Sequence, residues 1–148
     1  MICDSGFAVF DHTADIGLRV WSNDWRKLFE TAARGMISLV VDPGGVEKKA
    51  RKVFQIEGFD LEELLLVFLR EILYTMERWG MVFTDFKVEG DVFSHNNLEK
   101  YIVRATLQGE KRDIARHDIC TEIKAITRHG LSLKKDGRMW RARILFDV

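Results

Sequence analysis

Between Leu61 and Met76 the chain places apolar residues at helical spacing: Leu61, Leu64, Leu65, Phe68, Leu69, Ile72, Leu73 and Met76. Leu66 and Val67 widen that stripe beyond what one packing partner covers. A helix with so broad an apolar face must be deeply packed, so other layers have to enclose it. Asp60 stands before the stripe and Glu63 three residues later, the pattern of a capping box with Asp in place of Ser or Thr. A second helix is predicted from Trp25, Leu28, Phe29, Ala32, Met36, Leu39 and Val40, with Asp24 as its N-cap. It should stop near Val41, because Asp42-Pro43-Gly44-Gly45 breaks helices.

The remainder reads as strand. Phe7 to Asp11 and Val53 to Glu57 are short candidates. From Asp15 to Trp21 the chain alternates: Ile16, Leu18 and Val20 share one face, and Asp15, Gly17, Arg19 and Trp21 the other. After Gly80, Met81 to Glu89 and Tyr101 to Gly109 form strands, with Gly90 to Asn97 as the connection. Ile119 to Thr127, Leu131 to Lys135 and Arg138 to Asp147 follow, separated by turns at Gly130 and Asp136-Gly137. Two helices and about seven strands imply an α+β fold of largely antiparallel sheet layers packed with the helices. One domain over residues 1–148 is expected, since 148 residues bury a full core.

Charge limits the function. The 23 basic and 23 acidic side chains cancel, so a protein that binds nucleic acid by overall charge is not expected. Any positive potential must be local. Cys3 and Cys120 are too few for a structural zinc site and are expected to be free thiols in a reducing cytosol. Met1 to Phe10 carries Asp4 and lacks a basic start, unlike a signal peptide, and no long apolar run suggests a membrane segment. The expectation is a soluble cytoplasmic protein. The chain has no Gly-Lys-Ser/Thr phosphate loop, no dinucleotide glycine fingerprint and no recognisable nucleophile arrangement.

Three polar segments stand out. Asp11-His12-Thr13-Ala14-Asp15-Ile16-Gly17 lies between two strands. Turn formation accounts for part of it, and a carboxylate beside an imidazole also suits acid, base or metal chemistry. At the other end, Trp140, Ala142, Ile144 and Phe146 point inward while Asp147 shares its parity with Arg141, Arg143 and Leu145. Asp147, Val148 and nearby carbonyls then offer clustered oxygens, as a hard cation such as calcium or magnesium requires. Parity permits Asp15 and Asp147 to meet. Asp42 is a further oxygen donor, although Asp before Pro-Gly is ordinary turn chemistry. The third segment is basic: Lys111, Arg112, Arg116, His117, Lys124, Arg128 and His129. A solvated face explains it, as does contact with phosphate or an acidic partner. Lys124 would share a strand face with Cys120, Glu122 and Ile126.

The first segment resembles the N-terminal motif of the archease family. Ile123-Lys124-Ala125-Ile126-Thr127-Arg128-His129-Gly130 resembles that family's late Lys-Ala-x-Thr-x-His segment, and the ending Phe146-Asp147-Val148 resembles its terminus. The resemblance spans essentially the whole chain. It implies an accessory activator of an RtcB-type RNA ligase in tRNA splicing, promoting ligase guanylylation and turnover without catalysis of its own. It also implies a divalent cation (calcium, magnesium or manganese) held by Asp15, Asp147 and the Val148 carbonyl or carboxylate. Lys124 and Asp42 match positions tied to activation, and His12 and His129 match motif positions without an assigned role. The expected partner is the ligase, with tRNA met indirectly and no membrane. A chaperone-like or RNA-binding modulator of RNA-modifying proteins is the alternative. Arg128 departs from the family, where an aromatic residue is common.

Overall fold

The computed structural model describes residues 4–148. Seven strands and two long helices follow in the order β1 (Ser5–His12), β2 (Asp15–Ser22), α1 (Trp25–Val40), β3 (Ala50–Gly58), α2 (Leu61–Trp79), β4 (Met81–His95), β5 (Leu98–Lys111), β6 (Ala125–Asp136) and β7 (Met139–Asp147). They build two antiparallel sheets, one ordered β1-β2-β7-β6 and the other β3-β5-β4. Helix α1 packs on β2 and β4, and α2 on β6 and β3, so each helix touches both sheets. This is the enclosure that the wide α2 stripe demands. Leu65, Leu66, Phe68, Leu69 and Ile72 are completely buried, with Phe68 against Phe29 of α1 and Phe54 of β3. From the first sheet Leu18, Val20, Ile144 and Phe146 close the core. The α+β architecture expected from the sequence is therefore the observed one. No described helix is long and apolar enough to cross a membrane.

Several details differ from the sequence reading. The N-cap of α2 is Asp60, but its carboxylate accepts from Glu62 N–H, not Glu63 N–H. No capping box forms, because Glu63 pairs instead with Arg128 of β6. Gly90 to Asn97 is mostly strand and not a loose connection: β4 and β5 run on to His95 and Leu98, and Asn96-Asn97 alone turns the hairpin, both at positive φ. Gly130 does not separate two strands. It sits at φ 73 inside a bulge of β6, between Thr127 and Ser132.

The 119–127 segment is the largest correction. Ile119 makes a single bridge to Val41, residues 120–124 have no regular structure, and β6 begins only at Ala125. Two anchors hold the segment: Cys120 N–H donates to Val40 O at 2.8 Å, and Lys124 N–H to Asp147 O at 2.8 Å. Lys124 therefore has no strand face to share with Cys120 and Glu122. Cys120 is exposed and free; Cys3 lies outside the described residues.

A buried carboxylate, unforeseen in the sequence, ties the loop after β5 to the segment before β3. Glu110 is 5% exposed and accepts from Glu47 N–H at 2.5 Å and Arg116 Nη2 at 2.6 Å. His117, also buried, accepts from Asp113 N–H at Nδ1, so the ring proton resides on Nε2. That Nε2 lies 3.2 Å from Glu110 Oε2 but out of line for a hydrogen bond, and acts as an oriented dipole. The Glu47 N–H, with help from Arg116 and His117, outweighs burial and lowers the Glu110 carboxyl from 4.5 to about 2. A depressed carboxylate pKa contributes stability above the unfolded value, lost as pH falls through the folded one. Wild-type melting temperature should accordingly fall between about pH 4.5 and pH 2, partly through this group. Glu110→Gln should melt lower at neutral pH and show a shallower acid slope in that window. Equal slopes by circular dichroism would remove Glu110 from the account.

Candidate functional site: a carboxylate pair on the outer face of the four-stranded sheet

The first motif folds as a tight hairpin. His12 pairs with Asp15 across Thr13-Ala14, and Ala14 takes φ 62. Alternation along β2 buries Leu18 and Val20 under α1 and so turns Asp15, Gly17, Arg19 and Trp21 outward. Strand β7 behaves in the same way, with Ile144 and Phe146 inward and Asp147 outward and exposed. Register completes the site: Asp15 stands directly opposite Asp147, and Asp147 opposite Ala125. One row across the sheet thus reads His12, Asp15, Asp147, Ala125. Side chains directly opposite in an antiparallel pair lie roughly 4.5–5.5 Å apart at Cβ.

Two carboxylates in that relation repel each other. His12 Nδ1 approaches Asp15 Oδ2 at 3.6 Å, and no Lys or Arg among the described residues forms an ion pair with either aspartate. Val148 follows the end of β7, half-buried, its side chain packed on the core. Carboxylate and main-chain oxygens held on a rigid sheet fit a hard divalent cation. His12 belongs to the row but is a poor ligand for calcium or magnesium. The described residues contain no cluster of three or more His, Cys, Asp or Glu side chains converged for a metal. The side-chain donors are therefore two carboxylates, and further ligands would come from main-chain oxygen, solvent or a partner.

The other candidates are placed as follows. Lys124 is exposed, its main chain bonded to Asp147 at the end of the row and its side chain outside every ion pair among the described residues. It borders a cleft of about 130 Å³ between α2 and the 119–124 segment, with Leu73, Met76, Ile119 and Arg112. That volume is well below the roughly 300 Å³ of a small-molecule pocket. Asp42 caps the turn Pro43–Gly45, accepting from Gly44 N–H at 3.0 Å. No hydrogen bond or ion pair among the described residues joins it to Asp15 or Asp147. His129 is exposed in the β6 bulge, its N–H on Thr127 Oγ1 at 2.9 Å. The late basic groups do not form one patch. Arg116 and His117 face Glu110, and Arg128 clasps Glu63. Glu63 holds Arg128 above the usual guanidinium range, and Arg128 holds Glu63 below the usual carboxylate range.

These features define a small α+β protein that carries an outward-facing carboxylate pair at one end of its four-stranded sheet. The Archease protein family (MTH1598/TM1083) matches residues 7–148. Protein archease of Pyrococcus furiosus is 38% identical over 141 residues, covering 94% of this chain and 96% of that protein. Protein archease of Methanopyrus kandleri is 35% identical over 138 residues, with 93% and 96% covered. The solution structure of Methanobacterium thermoautotrophicum protein 1598 superposes with a TM-score of 0.79 at 24% identity, over 97% of this chain and 99% of that one. A Thermotoga maritima crystal structure, described as an archease and possible chaperone, gives a TM-score of 0.55 at 21% identity, with 94% of each chain covered. The chain belongs to the archease family.

Proposed function

We propose that this archease-family chain is an accessory activator of an RtcB-type RNA ligase in the cytoplasm. It acts in tRNA splicing by promoting guanylylation and turnover of the ligase. The observation that carries the reading is the register of Asp15 against Asp147, two carboxylates without a Lys or Arg partner among the described residues, with the Asp147 carbonyl bonded to the main chain of the exposed Lys124. Asp15, Asp147 and a main-chain oxygen of Val148 hold a divalent cation, with His12 orienting Asp15. Such a cation supplies a concentrated positive charge for phosphate oxygens when bound. Lys124 presents an ammonium to phosphate or to an acidic group of the partner. His129 and Asp42 contribute to the contact from the bulge and the turn. The tRNA is engaged through the ligase, and the protein has no catalysis of its own.

The test is single-turnover guanylylation of an RtcB-type ligase with and without this protein, in the presence of manganese. The rate should rise with the protein, which alone should not hydrolyse GTP. Lys124→Ala should keep the wild-type circular dichroism spectrum, because the main chain, not the side chain, bonds Asp147. It should lose about tenfold in activation, the scale of one charge-assisted hydrogen bond. An unchanged rate with the wild-type protein overturns the activator reading, and full activity of Lys124→Ala removes that residue from it. The Thermotoga relative's description as a possible chaperone supports a second reading, a chaperone-like modulator. Suppression of client aggregation in light scattering, without any effect on guanylylation, would favour it.

A further inference from the structure

The carboxylate row occupies one end of the outward face of the β1-β2-β7-β6 sheet. The rest of that face has the opposite character. Next to the row, Phe10 lies flat across Gly17, where a Cβ would meet its ring at 2.1 Å. Arg19 and Arg143 bracket that ring, with guanidinium carbons 4.5 and 5.0 Å from its centroid. Beyond them Trp21 lies over Gly6, and its cross-strand partner is Arg141, which in turn faces Lys134.

The register places Arg19 opposite Arg143 and Arg141 opposite Lys134. Like charges directly opposite are destabilising, and no acidic side chain is interleaved between these four. Only Asp136 at the hairpin tip approaches, 3.8 Å from Arg141. A shallow depression of about 530 Å³ spans these strands, lined by Arg19, Trp21, Lys134, Arg141 and Arg143. The outward face of the other sheet is different. There Lys87 and Arg104 stand among Glu89, Asp85 and Glu57, and Lys87 lies 4.0 Å from Glu89. On the first sheet the four cations are contiguous, and the carboxylates of that face, Asp15, Asp147 and Asp136, stand only at its ends.

We infer that this basic, aromatic sheet face binds the backbone of a single-stranded nucleic acid. Guanidinium forks suit phosphate oxygens, and Trp21, half-exposed between them, offers a surface on which a base can stack. Trp also anchors protein interfaces, but there it sits in an apolar central patch; Trp21 stands among Arg19, Arg141 and Lys134, a setting that favours a stacked base flanked by phosphates. Asp15 and Asp147 bound the platform at one end and Asp136 at the other. With adjacent strands about 4.8 Å apart and alternate residues about 6.6 Å apart along a strand, the platform covers two or three phosphates. The inference is independent of the cation proposed at Asp15 and Asp147.

The measurement is fluorescence anisotropy of a labelled oligouridylate titrated with the full chain, in salt from about 50 to about 200 mM. Two or three neutralised phosphates give a slope of log K against log salt of about −1.4 to −2.1. The Lys134→Gln/Arg141→Gln double variant should flatten that slope by about 1.4. Lys87→Gln/Arg104→Gln on the opposite sheet should leave it unchanged. Trp21→Leu should weaken oligouridylate binding about tenfold while leaving poly-glutamate binding alone. If Trp21→Leu does not fold, the double variant decides. Absence of salt-dependent binding overturns the inference, as does an unchanged slope in the double variant. Poly-glutamate competing as well as oligouridylate, with Trp21→Leu neutral, also overturns it and assigns the face to an acidic protein.

Discussion

Asp147→Asn should melt slightly higher than wild type in the absence of divalent cations and markedly lower in their presence. Both signs follow from one register pair, Asp15 opposite Asp147. Without a cation, the variant removes repulsion between two directly opposed carboxylates, worth a few tenths of a kcal/mol. With a cation at a hundredfold excess over its Kd, wild type gains about 2.7 kcal/mol. For a chain of this size that raises the melting temperature by roughly 6 °C or more. Affinity at hard-cation sites follows the number of charged ligands, so Asp15→Asn and Asp147→Asn should each bind at least about tenfold more weakly. Calorimetric titration with calcium and manganese measures this directly, and thermal melts with and without cation give the sign reversal. Ligase activation should fall in both variants. If both bind cations and activate like wild type, the carboxylate pair is only the end of a sheet.

The largest effect on stability is expected at Gly109. This residue of β5 stands between Ala50 of β3 and Phe83 of β4. A Cβ there would lie 1.9 Å from the Val82 carbonyl oxygen and 2.7 Å from Phe83 Cα. Those are main-chain atoms of the neighbouring strand, close to the β4 irregularity between Phe83 and Asp85. Val82 and Phe83 are themselves buried, so β4 cannot withdraw without opening the core. Gly109→Ala should cost about 3 kcal/mol or more, at the upper end of overpacking. That corresponds to a fall of roughly 6–12 °C in melting temperature. Gly45→Ala is the control, since nothing lies within 4 Å of its Cβ position. A Gly109→Ala protein that melts with wild type would show that the strands can separate at no cost.

Much of the fold was legible in the sequence because the signals were local. The spacing of Leu61 to Met76 required an enclosed helix, and α2 fills that role between the two sheets. Asp24 and Asp60 were readable as caps, because capping depends on the adjacent main chain. Errors gathered where a distant residue overrode a local preference. Glu63 suited a capping box, but Arg128, sixty-five residues away, holds its carboxylate. Gly130 read as a turn, yet Glu62 bonds Leu133 N–H and Arg70 bonds the Ile126 carbonyl, so α2 holds β6 continuous through the bulge. Residues 119–124 had the alternation of a strand but have only the Val41 bridge and the anchors at Val40 and Asp147. Arg116 and His117 looked like part of a basic surface and instead serve the buried Glu110.

For the site, the sequence by itself determined the face. Inward Leu18 and Ile144 force Asp15 and Asp147 outward, because side chains alternate along a strand and apolar ones must leave water. What it did not determine was that β7 inserts between β2 and β6, or the register that brings Asp15 opposite Asp147 and Arg19 opposite Arg143. Those pairings join residues more than a hundred positions apart. No local rule specifies them, since pairing and register are chosen by which arrangement buries both apolar strand faces against the same helices.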